Sequence, residues 1–296
     1  MAPQASGRKL RKNSDVPSSI LFLTPAFLLI ICITFVPIVL AFRNSFHATN
    51  YAQVGEFVGF ENYKTVFKEG GLQNILNSIE YVVLSLVLVM PLGIALGTLL
   101  NRKVKGTVLF RTLIIIPWVL SQTVTAMLWR WILNGSFGPI SYIAYKLTGS
   151  KLDLLSSPVS AKLVVVLANV WNTLPVVVIL TLAALQTVPG ELREAAMMDG
   201  ATDWKVYTRI TLPVIRPTLI TALVMQSIEY FNMVTLIFVL TAGGPFNATQ
   251  TLSVAAYQNG FGYWHMDIAA AFSVIIFLCN IAFSAVYVRL LKAADD

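Results

Sequence analysis

Six stretches of the chain, 20–42, 78–100, 112–133, 163–185, 218–240 and 268–288, run for 21 to 23 residues with at most one charged side chain each. As helices rising 1.5 Å per residue they reach roughly 31 to 35 Å, enough to cross a hydrocarbon core with some tilt. They are too long and too continuously apolar for barrel strands, whose mark is alternation over about ten residues. The pattern predicts an all-α, polytopic membrane protein with six transmembrane helices.

Arg8, Lys9, Arg11 and Lys12 precede the first stretch, and Val39-Leu40-Ala41 near its end could pass as a cleavage site. The apolar run exceeds the roughly 7–15 residues of a secretory signal core, so it reads as an uncleaved first helix. This gives a tail over 1–19, a membrane domain over 20–291 and a short tail over 292–296. Six passes leave both termini on one side. That side takes 14 of the 21 Lys and Arg residues; the other takes Arg43, Lys64, Lys68, Arg130, Lys146, Lys151 and Lys162. Basic residues are retained inside, so both termini are cytoplasmic.

Composition narrows the class. The 296 residues are 56% hydrophobic and 12% charged, with a mean hydropathy of +0.73, which leaves no room for a large soluble catalytic domain. The net charge of +7 comes from residues flanking apolar runs and is a topology signal; no nucleic-acid partner is expected. Cys32 and Cys279 lie in apolar stretches, and His47 and His265 have no partners at ligand spacing. Neither a disulfide framework nor a metal site is supported. No internal repeat is legible.

The connection 186–217 differs in kind, with eight of the chain's 35 acidic and basic residues in 32 positions. Pro189, Glu191 and Glu194 favour a helix start, and Gly200 a stop. A second short helix fits 202–211, after which Pro213 and Pro217 are expected to break the chain before it re-enters the membrane. Ala195, Ala196, Met197 and Met198 form a small, soft apolar surface suited to another protein's groove. A lipid-interfacial loop would need a larger apolar face and a more basic polar one.

Within this segment Glu194-Ala195-Ala196, then Asp199-Gly200 and, after nine intervening residues, Ile210 with Leu212-Pro213 resemble the EAA signature of binding-protein-dependent ABC importer permeases. Asp199-Gly200-Ala201 and Pro217 resemble the carbohydrate branch, the maltose and glycerol-3-phosphate type. Gly59-Phe60-Glu61-Asn62-Tyr63 and Thr241-Ala242-Gly243-Gly244-Pro245 are similar to that branch too, and the ending at Lys292–Asp296 resembles its first permease subunit rather than the second. The resemblance implies a type I ABC importer permease fold and a coupling helix seated in an ATPase cleft. It further implies a second permease subunit in a heterodimer, an ATPase dimer, an external substrate-binding protein and a carbohydrate substrate. The setting would be the cytoplasmic membrane of a bacterium or archaeon, in contact with lipid. No phosphate-cradling Gly-x-x-x-x-Gly-Lys-Ser/Thr occurs, so this chain is expected to hold no cofactor, with ATP and Mg bound by the partner ATPase.

Polar groups in hydrocarbon mark candidate substrate contacts. Gln226, Glu229, Tyr230 and Met233 share one helical face with Asn232 at its edge, and in the resembled family this helix contributes to the substrate cavity. Asn169 and Asn172 in the fourth stretch, Gln122 in the third and Asn280 in the last add amides, which both donate to and accept from sugar hydroxyls. Hydrogen bonding between helices is the other reading for each of them. Gly93 and Gly97 signal close helix packing. Trp118, Trp129, Trp131 and Trp264 sit at membrane ends as anchors, and Arg130 is placed to snorkel. A secondary transporter with Glu229 as proton relay is the rival reading, and it leaves the EAA segment idle. A membrane-embedded enzyme lacks paired carboxylates, a nucleophile with its base, or metal ligands in the spans.

Overall fold

Apolar runs this long leave the backbone no hydrogen-bonding partner in lipid but itself. Helices accordingly dominate the computed structural model, which describes residues 15–51, 53–102 and 106–295. Arg8, Lys9, Arg11, Lys12, Lys103 and Lys105, used above for orientation, lie outside the described residues. The chain runs α1 (Asp15–Ile30), a π turn, α2 (Val36–Asn44), β1 (His47–Asn50), β2 (Gln53–Phe57), α3 (Glu61–Lys68), α4 (Gly71–Leu100), α5 (Thr107–Val119), α6 (Gln122–Ile132), α7 (Pro139–Thr148) and α8 (Pro158–Gln186). It continues through α9 (Gly190–Met198), α10 (Asp203–Val206), a π turn, α11 (Leu212–Phe231), α12 (Thr235–Thr241), α13 (Leu252–Tyr257), a further π turn and α14 (Met266–Asp295).

Among the described residues, five stretches are long and apolar enough to cross a membrane singly: Phe22–Asn44, Gly71–Leu100, Pro158–Gln186, Asp203–Phe231 and Met266–Tyr287. A sixth is the bent pair α5 and α6. The six expected spans are therefore present, with three differences. The first helix starts at Asp15, inside the expected tail, and the last runs on through most of 292–296. The external connection after the first span folds into an antiparallel hairpin that pairs His47 with Phe57 and Asn50 with Gln53. Thr49 fastens this hairpin to the start of α14: its N–H donates to Asp267 Oδ2 and its Oγ1 accepts from the Asp267 N–H, each at 3.0 Å.

The third difference lies in the third and fifth spans, which the hydropathy pattern reads as continuous. α5 and α6 meet at 97°, with Leu120 and Ser121 both extended, at ψ of 135° and 151°. A break in hydrocarbon exposes carbonyls, and α8 supplies their partner. Asn172 Nδ2 donates to Pro117 O at 2.7 Å, to Leu120 O at 3.4 Å and to Thr125 Oγ1 at 3.1 Å. The fifth span stops at Phe231, whose carbonyl accepts from Ser253 Oγ of α13, and resumes as α12.

The centre of the fold is the contact of α4, α8 and α11. Gly93 and Gly97 hold the close approach expected of them: a Cβ at Gly93 would lie 2.4 Å from Val177 Cγ1, and one at Gly97 2.8 Å from Thr181 Cβ. Val82, Val89, Val177, Tyr230, Phe231, Leu236 and Ile237 fill the surrounding core. A second cluster, with Val66, Leu252, Ile268 and Phe272, sits under the external segments. The first span stands apart, with none of its residues buried. Phe42 meets Phe277 of α14 edge-on, with ring centroids 5.7 Å apart.

Candidate functional site

α9 begins after Pro189, carries Glu191 in its first turn, and ends in a turn that favours glycine. The Gly200 N–H bonds Met197 O and the Ala201 N–H bonds Ala196 O, both at 3.0 Å, with Gly200 left-handed at φ 80°. This is the paired closure of a helix by a glycine. Nothing lies within 4 Å of a Cβ built there, so the turn demands glycine for its backbone angle and not for want of space. Thr202 Oγ1 then caps α10 by accepting from the Lys205 N–H, and Arg193 Nη2 reaches Asp203 Oδ1 at 3.1 Å across the turn.

The expected break at Pro213 and Pro217 does not occur. From Asp203 to Phe231 the helix is one body, because the π turn Tyr207–Thr211 widens the backbone: the Leu212 N–H pairs with Tyr207 O, five residues back. The wide turn accommodates the proline ring and the missing donor of Pro213. The second short helix is thus the cytoplasmic end of the fifth span. Tyr207 OH lies 2.9 Å from Thr98 Oγ1 at the end of α4, and Leu212 packs on the small core of Ala184, Leu185 and Ile215.

Glu194, Ala195, Asp199, Gly200 and Pro213 are exposed, and Ala196, Ile210 and Leu212 are half-buried. The apolar surface is broader than the Ala-Met run alone. Met198 is 89% and Trp204 72% exposed, with Leu192 and Met197 beside them. Leu192 and Trp204 are not among the residues singled out in the sequence, and both are exposed on the short helices either side of the Gly200 turn.

The intramembrane candidates divide into two sets. Gln226, Tyr230, Asn169 and Asn172 are buried inside the chain. Gln226 Nε2 donates to Tyr230 OH at 3.0 Å, and that hydroxyl lies 2.7 Å from Thr173 Oγ1. Met233 is buried in the core. The shared face predicted for Gln226, Glu229, Tyr230 and Met233 is therefore split: three point inward, and Glu229 lies exposed at the edge with Asn232. Asn232 and Asn280 line one cavity of about 280 Å³ between α2, the end of α11 and α14. Gln122 stands half-buried where the third span breaks. Arg130 Nη1 reaches Val239 O of α12 at 3.4 Å. Among the described residues no group of three His, Cys, Asp or Glu could hold a metal ion.

Six apolar passes, with an exposed, glycine-closed helix pair between the fourth and fifth of them, define a polytopic membrane protein. Residues 89–295 match the model of the binding-protein-dependent transport system inner membrane component. The chain belongs to that family and is a multi-pass component of the cytoplasmic membrane. It is 31% identical over 287 residues to the trehalose/maltose transport system permease protein MalF of Thermococcus litoralis, covering 96% of this chain and 97% of that protein. It is 30% identical over 275 residues to the sn-glycerol-3-phosphate transport system permease protein UgpA of Agrobacterium fabrum, covering 92% and 94%. A solved bacterial ABC transporter involved in the import of the acidic polysaccharide alginate superposes with a TM-score of 0.81 at 23% identity, covering 94% of this chain and 96% of that one. It places the fold among type I ABC importer permeases.

Proposed function

We propose that this chain is one permease subunit of an ATP-driven importer for a neutral sugar, oligosaccharide or polyol, delivered by an external binding protein. The observation that carries the reading is the exposed α9–α10 pair, whose Glu194, Asp199 and apolar Met198 and Trp204 suit a groove on an ATPase dimer. In this reading the chain catalyses no bond chemistry and holds no cofactor, ATP and Mg staying with the ATPase. Because α10 and α11 are one rigid helix, displacement of the docked pair tilts the fifth span. Glu229 and Asn232, exposed on that span, would then turn from one side of the membrane to the other together with a second permease subunit.

Substrate charge follows from electrostatics. A phosphate would call for Arg or Lys near mid-membrane, whereas 218–240 contains no basic residue and the exposed edge carries Glu229, whose charge would repel an anion in a weakly screened cavity. A carboxylate accepting hydroxyl protons suits a sugar. Proteoliposomes bearing the whole complex provide the test. Uptake of a disaccharide requiring internal ATP and indifferent to an imposed pH gradient is expected. Uptake driven by the gradient alone, or preference for glycerol 3-phosphate, would sink the reading.

A further inference from the structure

The external side carries an aromatic cavity that the transport reading leaves unused. Between the end of α6 and α7 lies a space of about 280 Å³ lined by Trp131, Ser136, Phe137, Tyr142, Tyr145 and Lys151. Its floor has one shape. Asn134 Oδ1 accepts from the Ser136 and Phe137 N–H groups at 2.9 and 3.2 Å, and Ser141 Oγ donates to Gly135 O at 2.8 Å. A Cβ on Gly138 would lie 2.5 Å from Asn134 O.

Around this floor the apolar side chains are uncovered: Leu147 is 81% and Phe137 68% exposed, with Ile143 beside them. Only Ser141 of α7 is buried. An apolar helix at the outer ends of the spans lies in the membrane interface, and Trp and Tyr rings sit there at headgroup level. Two cations join the rings. Lys151 lines the cavity, and Lys146 Nζ stands 5.6 Å from the Tyr142 ring centroid. The neighbouring acid, Asp153, rests against Gly135 and accepts from the Leu155 N–H outside the lining. A neutral sugar would leave both cations without a role. Positive charge on an aromatic rim at headgroup depth fits an anion that carries an apolar tail.

We infer that this cavity seats the headgroup of an anionic phospholipid of the outer leaflet, with Lys151 of the lining and Lys146, at the rim over the Tyr142 ring, holding the phosphate and the acyl chains lying along Trp131 and Phe137. Both lysines are exposed, so replacing them leaves the fold intact. The test is native mass spectrometry of the purified full-length protein, with whatever subunits co-purify, titrated with phosphatidylglycerol or phosphatidylcholine. The wild type is expected to prefer phosphatidylglycerol at one site. The double variant Lys146→Gln, Lys151→Gln is expected to lose that preference by roughly fivefold per lysine, with phosphatidylcholine unchanged, and Lys→Arg at both positions to restore it. Equal binding of the two lipids, or an unaltered preference in the double variant, would overturn the proposal. So would displacement of the lipid by inorganic phosphate, which would make the site one for a soluble anion. Loss of binding-protein affinity with lipid binding intact would reassign the face to a protein contact.

Discussion

At Gly200 the backbone sits at φ 80° with open space around the missing side chain, so the effect of substitution comes from conformation alone. Gly200→Leu forces an L-residue into the left-handed region at roughly 1–2 kcal/mol, whereas asparagine tolerates that region better. ATPase activity of the full complex, stimulated by loaded binding protein, is expected to fall steeply in Gly200→Leu and mildly in Gly200→Asn. Equal loss in both would refute the backbone argument. Asn172 presents the opposite case. Its amide serves three acceptors at the break in the third span, and Asn172→Leu strands the Pro117 and Leu120 carbonyls in a dry interior at about 1–3 kcal/mol. A lowered Tm of the detergent-solubilised complex is the expected outcome, and an unchanged Tm would show that other groups relax to satisfy those carbonyls.

Among the elements, α9 and α10 make contact with little beyond the base of the fifth span and each other, so charge reversal there should spare the fold. Glu194→Lys, at an exposed position, is expected to leave assembly and Tm unchanged while abolishing stimulated ATP hydrolysis; normal stimulation would remove Glu194 from the docking surface. The helix and its glycine stop were legible because caps act locally. The fate of Pro213 and Pro217 was not. A proline forbids the ordinary turn, and nothing in the residues themselves announces that a π turn will absorb it. The break at Leu120 was hidden for a related reason: hydropathy runs unbroken from 112 to 133, Pro117 is the only local hint, and the group that stabilises the bend lies 51 residues after Ser121 in another helix. The polar face of the fifth span failed at its edge. Gln226 and Tyr230 spend their hydrogen bonds inside the chain, while Glu229, about one-sixth of a turn from Gln226 on the side away from Tyr230, emerges at the surface.

For the molecule as a whole, the six spans and the helix-turn-helix between the fourth and fifth could be read from apolar length and a spaced motif, while which amides face inward depends on packing between distant helices. That dependence bears on how the chain is made. Spans leave the ribosome in order, and the bent third span emerges before the helix that carries Asn172. Until α8 arrives, the carbonyls of Pro117 and Leu120 face hydrocarbon unpaired, a state lipid does not tolerate. The third span should therefore wait at the insertion machinery and partition into the bilayer only together with the fourth. Nascent chains truncated at 180 and at 240 offer the check: a photo-crosslinker at Val119 is expected to label the insertion channel in the shorter chain, whose α8 is still inside the ribosome, and lipid or α8 in the longer. Lipid labelling at both lengths would mean that the bend forms later, from a span that first inserts straight.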